Sequence, residues 1–236
     1  MKRIINMVSL CIIGVILVSC HHDYEANTAN SNMSFDSDLY SLAHKDYNLF
    51  NATKSEGYYL NGDGIDMIIA DAKSLCEKYN LSEEFYNSGY YQDIRKYESM
   101  QSAEINCLDV ILDNSTPAFQ RGIINVLTGD EEPQLESILN NDSLLSSEKI
   151  ALAIILNLKN CDDYNSQVTK SSDCRSAAYE SSMKVCKNWM YAGVGLTVVS
   201  VAVSPWLSAA FAGATTIDYD NCSSKANSAL MDCLGM

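Results

Sequence analysis

Cysteines carry most of the chemistry in this chain. Cys174 and Cys186 lie 12 residues apart, and Cys222 and Cys233 lie 11 apart. In helices these spacings span about 18 Å and about 16.5 Å. Two antiparallel helices so marked could be joined twice, Cys174 to Cys233 and Cys186 to Cys222. Bonded cysteines need Cα atoms within about 7 Å, whereas one straight helix over residues 188–217 would hold its ends about 45 Å apart. The staple and the single span therefore exclude each other. The spacing predicts a closed hairpin turning at or near Pro205. Eleven residues nearly return to one helical face but twelve are offset by about 120°, so one of these cysteines is expected at a frayed helix end. Cys76 and Cys107 are further disulfide candidates. No Cys-x-x-Cys occurs and the histidines are only His21, His22 and His44, so neither a metal site nor a cofactor is expected.

Other catalytic constellations are thin. His44 is the one histidine that could serve a Ser or Cys nucleophile within the folded part, and no Gly-x-Ser-x-Gly accompanies it. Ser181-Ser182-Met183-Lys184 fits the Ser-x-x-Lys pattern of penicillin-binding enzymes, but the companion Lys-Thr-Gly is missing. The pairs Glu83/Glu84, Asp130/Glu131/Glu132 and Asp162/Asp163 fall at expected helix starts or loops, where carboxylates favour the helix dipole. Asn61-Gly62-Asp63-Gly64-Ile65-Asp66 suggests a calcium loop without the bidentate acid that should close it. The expectation is a non-catalytic protein; an envelope hydrolase is an alternative.

The elements that position these residues read as helices. Three prolines and eleven glycines are too few for a turn-rich β fold. Helices are expected near Asp38–Phe50 and Ile65–Tyr79, then a short one capped by Ser82, then a longer one over Tyr90–Leu112. Thr116-Pro117 is a strong start, a capping hydroxyl followed by Pro at the first helical position. Further starts fall at Asp130–Pro133 and at Ser146 or Ser147. The organisation expected is a helical bundle over 35–161, a polar linker over 162–173, and a Cys-stapled hairpin over 174–236. The fold class is mostly α.

The amino-terminal end carries an address. Met1-Lys2-Arg3, an apolar run from Ile4 to Val18, and Leu17-Val18-Ser19-Cys20 form a basic start, a short apolar segment and a small residue before a cut. Leu-Val-Ser-Cys resembles the bacterial lipobox. The resemblance covers the targeting segment alone and implies a signal peptide over 1–19, cleavage before Cys20, and acylation of that residue with palmitate-type chains. It further implies a lipoprotein anchored by lipid in the bacterial cell envelope, at the outer membrane. Residues 20–34 are polar and low in complexity, as a flexible tether would be. Asp142-Ser143-Leu144 resembles the short O-glycosylation acceptor of Bacteroides-type bacteria. With Cys11 removed and Cys20 acylated, an odd number of thiols remains in an oxidising compartment, so disulfides are expected with one cysteine left over.

Charge narrows the partners. Loss of Lys2 and Arg3 takes the net charge from −14 to −16. Such a body is unsuited to nucleic acid or to docking on anionic lipid. Attachment would rest on the lipid anchor, leaving an envelope protein or a glycan as the partner. The uncharged run from Asn188 to Ile217 is divided by Pro205 and rich in small residues, with Ser204/Ser208/Ala212 and Ala209/Gly213 each on one helical face. It serves either as core packed against the bundle or as a membrane-active element. In its cysteine layout, 174–233 faintly resembles small Cys-rich bacteriocin domains of the halocin kind, which implies a toxin-like alternative.

Overall fold

A computed structural model describes residues 31–45, 62–100, 106–128, 134–166, 174–202 and 205–234. The chain divides into two compact units, 1–34 and 35–236. Described residues of the second unit are helical, with no strand among them. The lipobox, Cys20 and most of the tether lie outside the described residues.

Helix α1 (Ser31–Ala43) begins earlier than expected and ends sooner. Its Leu39 and Leu42 enter the core, and Phe35 meets the Tyr79 ring edge-on. Helix α2 (Gly62–Lys78) follows the stripe Ile65, Ile68, Ala72 and Cys76, all buried. The supposed calcium loop is its first turn, and Asp66 is exposed. Two ion pairs tie α1 to α2: Lys45 to Asp71 at 2.5 Å and Lys78 to Asp38 at 2.6 Å. Tyr79 Oη also donates to Asp38. Burial alone would raise the Asp38 pKa, but the bonds from Lys78 and Tyr79 hold it below the ordinary value.

Helix α3 (Leu81–Asn87) starts one residue before Ser82, so Ser82 does not cap it; Asn80, in the left-handed region at φ 50°, takes that position. The long helix expected over 90–112 is broken. A 3₁₀ helix spans Gln92–Ser99, Met100 is extended, and α4 covers Cys107–Asn114. The break begins at Tyr91, whose φ of 57° no continuous helix allows. The Tyr91 N–H instead donates to the Asn114 carbonyl at 2.9 Å, bringing the 3₁₀ helix against the end of α4.

Helices α5 (Pro117–Thr128), α6 (Leu135–Leu139) and α7 (Ser146–Ser166) follow. Helix α7 runs past Cys161 into the segment expected to be a linker. Helices α8 (Cys174–Val201) and α9 (Pro205–Leu234) form the antiparallel hairpin. Pro205 opens α9, where its missing N–H has no helical partner to lose. Helix α9 continues unbroken from the apolar run through the polar stretch beginning at Asp218.

Cys186 and Cys222 form a disulfide across the hairpin, with Cα atoms 5.6 Å apart. The Cys174 and Cys233 side chains lie outside the described residues, as does that of Cys107. Cys76 is not paired, which corrects the expectation for it: it is a buried free thiol on the core face of α2. Burial, with Glu77 and Glu84 nearby, pushes its pKa up to about 12.

The apolar run is core. Tyr191, Val194, Leu196, Val198, Val199, Leu207, Phe211 and Ala214 are all buried, in one cluster with residues of α2, α5 and α7. Close approach falls at glycines rather than at the expected stripe. A Cβ on Gly193 would lie 2.7 Å from Thr215 Cγ2 and 3.0 Å from Thr215 Cβ, and one on Gly195 would lie 2.6 Å from Ile155 Cδ1. Ala209, by contrast, is exposed and Gly213 half-buried. Ser208 is buried and donates to the Thr197 carbonyl at 3.1 Å, fixing the hairpin's register near its turn. No helix among the described residues is long and apolar enough to cross a membrane.

Candidate ligand groove

A buried carboxylate holds together the helix starts beside a cleft between α5, α6 and α7. Glu148 stands at the third position of α7 and is fully inaccessible. Its Oε2 accepts from the Leu145 N–H at 3.0 Å, the return half of a capping box. The same carboxylate accepts from the Thr116 N–H at 2.9 Å, the Thr116 hydroxyl at 2.7 Å and the Tyr91 hydroxyl at 2.6 Å. Thr116 in turn caps α5 by accepting from the Phe119 N–H at 3.1 Å. One side chain thereby joins the starts of α5 and α7. Burial raises the Glu148 pKa although the four donors pull it down, and Tyr91 is raised well above its ordinary value by burial and by Glu148 beside it. Glu84, expected only to favour its own helix start, accepts from the Ser146 N–H at 3.0 Å and serves α7 as well.

Two buried amides secure opposite helix ends. Asn188 of α8 donates to the Leu127 carbonyl at 3.1 Å in the last turn of α5, and Asn157 of α7 donates to the Leu42 carbonyl at 2.8 Å in the last turn of α1. These satisfy carbonyls that a helix cannot satisfy for itself.

Held in this way, α5, α6 and α7 enclose an open groove of about 610 Å³. Ala118, Arg121, Gly122 and Asn125 line one wall, four residues of one face of α5. Gln134, Ser137, Ile138 and Asn141 line the other at the same spacing, around α6. Leu144 and Leu152 close the floor. Gly122 keeps the floor open; a Cβ there would approach Leu152 to 3.1 Å. Lys149 of α7 donates to the Leu139 carbonyl at 2.8 Å, tying α7 to the last residue of α6. Arg121 is exposed, is the one cation of the lining, and has no ion pair among the described residues.

The residues singled out for chemistry do not meet there. His44 is exposed at the end of α1, its ring 4.6 Å from Tyr40. Ser181, Ser182 and Lys184 are exposed on α8 while Met183 is buried, so the Ser-x-x-Lys residues share no pocket. No cluster of metal-binding side chains occurs among the described residues. Ser143 is exposed in a turn where its N–H donates to Asn141 Oδ1 at 3.0 Å, while Leu144 turns inward. The groove itself was not anticipated from sequence. Its available signal was the i, i+4 pair Arg121/Asn125 on the polar side of an otherwise apolar helix.

No protein family, curated protein or solved structure matches this chain.

Proposed function

We propose that the protein is a lipid-anchored module of the bacterial cell envelope with a non-catalytic binding role. The observation that carries this reading is the Cys186–Cys222 disulfide closing a hairpin whose apolar run is largely buried. A bond of this kind persists in exported proteins and is rare where thiols are kept reduced. It joins the Leu17-Val18-Ser19-Cys20 motif, whose acylated cysteine would hold the body at the outer membrane. Most apolar residues described in the hairpin are packed in the core, which suits attachment through the lipid.

Mass spectrometry of the mature, non-reduced protein tests the proposal. The expected result is a chain starting at Cys20 with acyl groups on it, and an intact Cys186–Cys222 cross-link. A chain retaining residues 1–19, or an unmodified Cys20, would overturn the lipoprotein reading. Turnover of a peptide or glycan by the purified protein would overturn the non-catalytic one.

A further inference from the structure

We propose that the groove between α5, α6 and α7 binds the free carboxyl terminus of a short peptide. The inference rests on the binding role above and names the ligand class. Three observations point the same way.

Arg121 is a lone cation in the lining, without an ion pair among the described residues, in a chain of net charge −14. A guanidinium presents paired donors that match one carboxylate. A single such group suits one carboxylate better than a phosphate chain, which takes several cations.

Asn125, Gln134 and Asn141 line the same groove. Each carries an amide donor and an amide acceptor, the complement of a peptide group. Among the described residues neither Asn125 nor Gln134 makes a side-chain bond that would compete, whereas Asn141 Oδ1 accepts from the Ser143 N–H and leaves its amide donor for a ligand.

The floor is aliphatic: Ile138, Leu144 and Leu152. It offers a place for one apolar side chain beside the carboxylate. Among the described residues no aromatic ring lines the groove to give the stacking platform that a sugar face uses. The volume of about 610 Å³ lies within the range of small-ligand sites and holds two or three residues of peptide.

The test is calorimetric titration of the full mature protein with acetyl-Ala-Ala-Leu, with the same tripeptide as its carboxyl-terminal amide, and with galacturonate. The free acid is expected to bind, the amide at least about tenfold more weakly, as loss of a charge-assisted pair would produce. Arg121→Gln should lower affinity for the acid by at least about tenfold and leave that for the amide unchanged. Because Arg121 is exposed, the variant should melt as the parent does, and that melt separates lost binding from lost fold. Equal binding of acid and amide, parental affinity in R121Q, tighter binding of galacturonate, or no binding of the acid at about 10 mM would each overturn the proposal. None of these outcomes bears on the state of Cys20, so the lipoprotein reading stands or falls separately.

Discussion

The bundle of α2 to α7 and the hairpin of α8 and α9 reach stability by different means. Three bundle helices are short; α3 has 7 residues, α4 has 8 and α6 has 5. Helices of that length are marginal alone, and each leaves unpaired N–H and C=O groups at its ends. In the bundle those groups are met by side chains from other helices, with Glu148, Glu84, Asn157 and Asn188 as the connectors. The hairpin helices have 28 and 30 residues and hold together along their length. There the connectors among the described residues are glycine-mediated close approach and the Cys186–Cys222 bond. Polar reach organises the short elements, and surface fit organises the long ones.

The comparison predicts where damage is greatest. Replacing Cys186 and Cys222 together by Ala should lower unfolding free energy by about 3 to 4 kcal/mol, the loop-closure effect for a separation of 36 residues. Chemical denaturation measures it; a loss below about 1 kcal/mol would mean that packing alone holds the hairpin.

Glu148→Gln should follow at about 2 to 3 kcal/mol, because its amide would face donors that now meet a carboxylate. Its pH signature has a definite sign. The folded-state pKa lies above the unfolded one. The carboxyl's contribution is therefore fully present below the unfolded value and is lost as pH rises through the folded value. Melting curves of parent and E148Q across that window should differ in slope, the parent falling more steeply with rising pH. Parallel curves would remove Glu148 as the titrating group.

Gly193→Ala should cost about 1 to 2 kcal/mol: crowding against Thr215, partly offset by the helical preference of Ala. Combining it with Thr215→Ala should recover part of that loss. No recovery would place the strain elsewhere. The smallest effect is expected at Cys76, whose buried thiol should resist alkylation until the protein unfolds. Rapid labelling in the native state would show α2 opening on its own.

The pattern of errors follows the same division. The stapled pair Cys186–Cys222 and the turn at Pro205 were legible because helical rise and disulfide reach together admit few arrangements. Thr116-Pro117 was legible because a cap and a first-turn proline act locally. The break at Tyr91 was not, since a non-glycine residue at positive φ depends on a distant carbonyl, that of Asn114, to hold it there. Ser208 lay on the expected small-residue stripe and is buried, yet the decisive contacts fell to Gly193 and Gly195. Face periodicity identifies small residues; only the neighbouring helix selects which of them is approached.

Helical class, a closed carboxyl-terminal hairpin and one of its cross-links were thus determined by the sequence itself. They follow from spacing along single helices, a one-dimensional quantity. Tertiary structure alone decided that Cys76 stays unpaired, that Glu148 reaches Thr116, 32 residues away, and so joins the starts of two helices, and that Arg121 lines a groove together with three amides. Each of these depends on which residues distant in the chain are brought within a few ångströms. That choice is made by the packing of the whole core and leaves no local periodicity to read.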